Sequence, residues 1–376
     1  MTRRTLIVTN DYPPRPGGIQ AFVHELASRQ PAGEVVVYAP AWKRAAAFDA
    51  ALPYPVVRHP GSLMLPTADV ASRAVDIARA DGLDTVWFGA AAPLGLLAAR
   101  LRRDASATRT VASTHGHEVG WARTPGMRKL LRLIGDRNDV VTYLGAYTKA
   151  IVAPAFGSHP QLAQLASGVD PDVFRPGAGG AEVRRRLGLA DRPVVVCVSR
   201  LVPRKGQDTL VRALPAIRLR VPDAALLLVG GGPYRGTVER LARENDVAEH
   251  VVCTGSVPWE ELPAHYDAGD VFAMPCRTRA AGWDVEGLGI VYLEASATGL
   301  PVVAGDSGGA PDALLPGETG ELVRGGDVSA VAKAVGDLLA DPQRAQALGR
   351  RGRDWVTERW QWSTMAQRLR NLLQDS

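Results

Sequence analysis

Cysteine is scarce. Cys197, Cys253 and Cys276 are the only three in 376 residues, and no two form a CxxC pair. A small, odd, scattered set of thiols excludes a disulfide framework and a Cys-rich zinc site. Cys197 and Cys253 lie in apolar runs that read as strands, so inert buried thiols are expected. Long apolar runs are missing too. The longest, VWFGAAAPLGLLAA ahead of Arg100, has 14 residues and contains Pro93. That is well short of the ~20 residues needed to span a bilayer. The opening MTRRTLIVTNDYPP offers too short an apolar run for a signal peptide. The chain is therefore expected in the cytoplasm, or lying on a membrane without crossing it. A dinucleotide fingerprint is also absent. NDYPPRPGGIQ contains no GxGxxG, and GGGPYRG places Arg235 where the last glycine belongs. A nicotinamide enzyme is poorly supported.

Apolar residues make up 46% and charged residues 22%, the balance of a globular chain. The length exceeds one ordinary core and suggests two domains. The net charge of +5 is uneven: residues 1–175 carry +6 and the remainder −1. That excess fits an anionic partner of the first half, either a membrane surface or nucleic acid, or else a solvated Arg-rich surface.

Short β-branched runs alternate with helical patterns. RTLIVTN, GEVVVYA, TVWFGA, TRTVAST and DVVTYL read as buried strands in the first half. RPVVVCVSR, AALLLVGGG, EHVVCTG, DVFAMP and PVVAGD do so in the second. Amphipathic segments such as GIQAFVHELASRQ and DTLVRALPAIRLRV lie between them. This alternation builds parallel sheets covered by helices. It occurs twice, broken at the Gly-, Pro- and Asp-dense SGVDPDVFRPGAGGAEV. The expected fold is α/β, two Rossmann-like doubly wound domains facing a cleft. In such sheets ligands sit at the carboxyl ends of strands.

The loops after strands hold the candidate chemistry. In NDYPPRPGGIQ, Gly17 and Gly18 precede a helix, where free N–H groups favour a phosphate. In THGHEVGW, His115 and His117 are followed by Glu118. HxH alone lacks the further ligands of a metal site, so a polar contact to substrate or a structural role is the better reading. In SRLVPRKG, Arg200 and Lys205 suit a diphosphate, one by bidentate grip and one as a point charge. In RAAGWDVEGLGIVYLEASATGLPVV, Gly287, Leu288 and Gly289 mark a helix start that favours phosphate oxygens. Glu286 should sit on the loop, exposed. Glu294, eight residues on, lies roughly 10–12 Å along the axis. A ligand reaching both acids must be long. A sugar nucleotide is, with sugar hydroxyls near Glu286 and ribose hydroxyls near Glu294. In ARTPGMRKLLRLIGDRND, Arg128, Lys129 and Arg132 alternate with Met127, Leu130, Leu131 and Ile134. This reads as an interfacial helix meeting anionic lipid, or as a surface helix with its apolar face in the core.

The pattern E-x7-E, with SRLVPRKG, GGGP, HGHE and PPRPGGIQ in this order, resembles the retaining glycosyltransferases of family 4 with the GT-B fold. The resemblance covers nearly the whole chain. THGHEVGW with DVEGLGIVYLEASATGLPVVAG is similar to the actinobacterial members that move mannose from GDP-mannose onto phosphatidylinositol mannosides. It implies an acceptor-binding domain over 1–170, a nucleotide-sugar domain over 171–357, and a terminal helix over 358–376 packed back on the first domain. It implies that Arg200 and Lys205 hold the donor diphosphate, and that Gly17 and Gly18 approach the donor phosphates and the reacting centre. Glu286, with Gly287–Gly289, would hold the transferred sugar and Glu294 the ribose. Val257 would meet the base through its backbone, and His115 would lie beside the reacting sugar. His117, Arg128, Lys129 and Arg132 fall on the acceptor and membrane side. The resemblance implies no metal or other cofactor, no nucleic acid, and peripheral attachment at the inner face of the plasma membrane. Trp283 departs from the pattern by standing where a smaller residue is expected. Transfer to a soluble acceptor from another sugar nucleotide, and sugar binding without catalysis, are the competing readings.

Overall fold

In the computed structural model, which describes residues 3–375, every strand pairing is parallel. Two compact units result. The first runs up to Ser167 and takes in the chain again from Trp362; the second is Gly168–Gln361. The sequence placed these divisions at 170/171 and 357/358.

The first unit holds seven strands, β1 (Thr5–Val8), β2 (Val35–Pro40), β3 (Val56–His59), β4 (Thr85–Phe88), β5 (Arg109–Ser113), β6 (Val140–Tyr143) and β7 (Gln161–Gln164), in the order β3-β2-β1-β4-β5-β6-β7. The second holds β8 (Val194–Val198), β9 (Ala225–Val229), β10 (Val251–Gly255), β11 (Val271–Met274), β12 (Val302–Gly305) and β13 (Gly320–Val323), in the order β10-β9-β8-β11-β12-β13. The central strands, TLIV, TVWF, VVVCV and ALLLV, are near-continuous apolar runs buried throughout, as helix-covered parallel sheets require.

The helix Trp362–Gln374 packs on the helix Gly18–Ala27 and on β5 within the first unit. Its Met365, Leu369 and Leu373 are buried, and Arg109 Nε donates to the Leu372 carbonyl at 3.0 Å. The segment read as a linker is folded into the second unit. Arg353 donates to the carbonyls of Pro171 (3.0 Å) and Phe174 (3.1 Å), and Phe174 is buried. Cys197 and Cys276 are buried, and loss of solvent pushes their thiols up to about 12 and about 11. Cys253 is only half-buried.

Candidate active site

Each sheet reverses its strand order once, between β1 and β4 in the first unit and between β8 and β11 in the second. Loops leaving adjacent strands at such a point diverge and leave room for a ligand. In the second unit the loop after β8 ends in the short turn Pro203–Lys205, and the loop after β11 runs to Gly289. Arg204 Nη1 donates to Glu286 Oε2 at 2.6 Å, and Lys205 Nζ donates to the same oxygen at 2.7 Å. Arg204 Nε lies 3.0 Å from Asp284 Oδ1. The Arg277 N–H donates to the Arg204 carbonyl at 2.9 Å and joins the loops at their base.

Glu286 is therefore not open to solvent as its loop position suggested; it is 7% exposed. A carboxylate so far from water needs partners, and it has two cations. Its backbone is held as well. The Gly309 N–H donates to the Glu286 carbonyl at 2.8 Å, and a Cβ on Gly308 would stand 2.1 Å from that oxygen. Gly289, at φ 81°, precedes the helix Ile290–Ala297, and a Cβ there would meet the Tyr292 ring at 2.5 Å. Leu288 is buried and Gly287 half-buried beside it. Trp283 is exposed on the same loop.

Arg200 stands apart from this cluster. It is exposed, in a hollow of about 370 Å³ lined also by Ser199, Gly230, Gly231, Ser256 and Val257. Fully buried Gln207 donates to Ser199 Oγ (2.7 Å) and to the Arg200 carbonyl (3.1 Å), fixing that loop. Glu294 accepts from the Tyr266 hydroxyl at 2.5 Å. Burial pushes the Glu294 carboxyl up to about 7, against the opposing pull of that hydrogen bond. Lys205 and Glu286 thus meet, Arg200 shares a hollow with Val257, and Glu294 is paired with a tyrosine. Sequence reasoning missed Arg204, Asp284 and Tyr266. Arg204 was visible beside Lys205 in PRKG, but only the tight turn shows that both cations reach one oxygen.

In the first unit Gly17 and Gly18 are exposed at the start of the helix Gly18–Ala27. His115 follows β5, and its Nε2 contacts the Gly89 carbonyl after β4 at 2.6 Å. A carbonyl accepts only, so Nε2 carries the proton and Nδ1 is the acceptor. Burial holds the imidazole below its ordinary pKa. Glu118, wholly buried, accepts from the His115 backbone N–H at 2.9 Å and lies 3.1 Å from His117 Nε2. One carboxylate orders both histidines.

The helix Pro125–Arg137 buries Leu131 and Ile134, so its main apolar face belongs to the core and does not lie on lipid. Arg128, Lys129 and Arg132 are exposed with Met127 and Leu133. A hollow of about 540 Å³ is lined by Ala122, Arg123, Pro125 and these three cations. Among the described residues no group of three His, Cys, Asp or Glu could hold a metal ion, and no helix is long and apolar enough to cross a membrane.

Residues 16–173 match the family model described as Glycosyltransferase Family 4, and residues 181–355 match Glycosyl transferases group 1. The chain is 58% identical to the GDP-mannose-dependent alpha-(1-6)-phosphatidylinositol monomannoside mannosyltransferase of Mycolicibacterium smegmatis, over 98% of this chain and 97% of that one. It is 47% identical to the Corynebacterium glutamicum enzyme described for the monoacylated acceptor, over 99% and 98%. Among solved structures, Anabaena HepE in complex with UDP is similar in fold, with a TM-score of 0.83 over 99% of this chain and 100% of that one at 21% identity.

Proposed function

The chain belongs to glycosyltransferase family 4, and on that premise we propose that it moves mannose from GDP-mannose onto a phosphatidylinositol mannoside, with retention, at the inner face of the plasma membrane. The observation that carries this reading is the 58% identity, over nearly the whole of both chains, to an enzyme described by that reaction.

The residues have roles that fit it. Arg200 and Lys205 take the donor diphosphate, Val257 meets the base through its backbone, and Glu294 accepts from the ribose hydroxyls. Glu286, with Gly287, Leu288 and Gly289, holds the mannose. Gly17 and Gly18 approach the donor phosphates and the reacting centre, His115 lies beside the reacting sugar, His117 serves the acceptor side, and Arg128, Lys129 and Arg132 attract anionic lipid. In the transfer, the bond from mannose C1 to the diphosphate oxygen breaks. The acceptor oxygen bonds to C1 on the same face, and its proton passes to the departing diphosphate. Negative charge grows on that diphosphate, and placed cations stabilise it most where it grows.

The Lys205–Glu286 contact has a further meaning. Lys205 is held by an acid at the sugar end and has to share its charge with the incoming phosphate. Arg204, bonded to both Glu286 and Asp284, keeps Glu286 neutralised while that happens. The test is a reaction with GDP-mannose and phosphatidylinositol monomannoside read by mass spectrometry. One added hexose on the lipid is the expected product; transfer only to water-soluble acceptors would overturn the lipid assignment.

A further inference from the structure

Three of the large apolar side chains exposed among the described residues stand in two neighbouring loops of the first unit. Trp42, after β2, is 40% exposed; Leu63 and Leu65, after β3, are 56% and 51% exposed. The loops are joined, since the Ala41 N–H lies within reach of the carbonyls of His59 (2.8 Å) and Gly61 (3.1 Å). Nor is the second loop slack. Asn10 grips Met64 from both sides, accepting from its N–H at 2.7 Å and donating to its carbonyl at 2.8 Å, and Met64 is wholly buried. Met64 is held inward while Leu63 and Leu65 on either side of it stay exposed. Arg58 stiffens the base by donating to the carbonyls of Pro13 (2.6 Å) and Pro40 (2.9 Å) and to Asp49 (2.7 Å). Cations flank the apolar edge. The Arg15 guanidinium sits 5.4 Å over the Trp42 ring, and Lys43 and Arg44 are exposed beside it. Among the described residues, neither Lys43 nor Arg44 pairs with a carboxylate.

We propose that this edge inserts into an anionic lipid surface, with Trp42, Leu63 and Leu65 entering the headgroup–acyl boundary and Arg15, Lys43 and Arg44 meeting headgroup phosphates. This rests on the lipid-acceptor reading and says where the first unit meets the bilayer. Projecting apolar tips ringed by cations suit a soft anionic surface. A two-fold contact with a second copy would instead bring these cations near their own copies. The position also fits. In the strand order β3-β2-β1-β4-β5 the loop carrying Gly17 and Gly18 leaves β1, between this edge and the His115 loop after β5.

The experiment is partitioning onto phosphatidylinositol-containing vesicles at low and high salt, with wild type and the double variant Leu63→Ser/Leu65→Ser. The double variant should bind about tenfold more weakly, about 1.4 kcal/mol, at both salt concentrations. A companion measurement uses vesicles with brominated acyl chains, which should quench part of the wild-type tryptophan emission. Trp42→Phe should remove that quenched part, and this decides the matter if the double variant fails to fold. Equal partitioning by a folded double variant, or quenching that survives Trp42→Phe, overturns the inference. So does a double variant whose oligomeric mass changes while its vesicle binding does not. Transfer of mannose to a short-chain, water-soluble analogue of the acceptor separates the two readings. If wild type transfers to it but ignores vesicles, this inference alone fails; if it transfers to neither that analogue nor lipid, the proposed function fails.

Discussion

Arg204 and Lys205 are adjacent and converge on one oxygen of Glu286, yet they should fail differently when removed. Lys205→Ala takes away a donor of charge-assisted bonds to phosphate and should weaken GDP binding by about 1.5–3 kcal/mol; Arg200→Ala should do the same. Arg204→Gln leaves Asp284 with only the more distant Arg279, at 3.8 Å, and half of the Glu286 pairing unmet, so the loop before Gly289 loosens. Its kcat should fall by about tenfold or more, equivalent to about 1.4 kcal/mol, while GDP affinity stays near wild type. Calorimetry and steady-state kinetics on both variants separate them, and equal losses of GDP affinity would refute the division of roles. Glu294 adds a pH signature. Its carboxyl ionises at about 7 in the free protein, while ribose hydroxyls need the ionised form as acceptor. GDP binding should therefore weaken as pH falls below about 7 and level off above it, and Glu294→Gln should flatten that profile as well as weaken binding. For folding the sign is opposite. A carboxyl that ionises near 4.5 when unfolded and near 7 when folded withdraws stability as pH rises through that window. Both acids were legible from their spacing. The burial of Glu286 was not, because it depends on Arg204 arriving from another strand's loop.

At the level of elements, what could be read tracks the apolar run: the edge strand β10, half-buried throughout, was legible from its VVC. All ten runs taken as strands are strands, and the three that were missed, β3, β7 and β13, lie at sheet edges. An edge strand is covered on one side only, and these three are mostly half-buried, so their short sequences, VVRH, QLAQ and GELV, lack a continuous apolar run. The start of the helix Ile290–Ala297 was legible from its glycines for a physical reason. Gly289 adopts a left-handed conformation against the Tyr292 ring, which a side chain would enter. Gly289→Ala should therefore destabilise the protein by about 1–3 kcal/mol from strain and overpacking together, and lower turnover by displacing Glu286. Thermal unfolding and mannose transfer test both effects; an unchanged midpoint would refute the packing argument. The helix Pro125–Arg137 was read two ways, and its buried Leu131 and Ile134 decide for the core. Its exposed cations retain a distinct prediction. Changing Arg128, Lys129 and Arg132 to Glu should weaken the salt-sensitive part of vesicle binding and leave the share carried by Arg15, Lys43 and Arg44, since each cation adds about 1 kcal/mol near an anionic surface and salt screens it. Co-sedimentation at two ionic strengths measures this.

Across the whole molecule, the chain crosses between its two compact units twice, and the second crossing was legible only in part. The apolar spacing after Trp362 showed a helix, but which core it completes came only from the family resemblance, because that depends on partners far away in sequence. Met365, Leu369 and Leu373 fill the first unit's interior, with Arg109 bonded to the Leu372 carbonyl. Truncation after Gln361 should therefore expose apolar surface of the first unit and leave the second intact. Burying each large apolar side chain contributes about 1.5–3 kcal/mol, so loss of three removes a large share of a domain's net stability of about 5–15 kcal/mol. GDP supplies the marker for which unit has melted. Apart from the approach of Gly17 and Gly18 to the phosphates, the proposed nucleotide contacts lie in Gly168–Gln361, so GDP at a hundred times its Kd should stabilise that unit by about 2.7 kcal/mol. Scanning calorimetry of the full chain and of the truncated chain, each with and without GDP, reads the outcome. Truncation should lower or abolish the transition that ignores GDP, and the transition that GDP raises should remain. If truncation instead shifts the GDP-responsive transition and spares the other, the terminal helix stabilises the second unit and its assignment to the first is wrong.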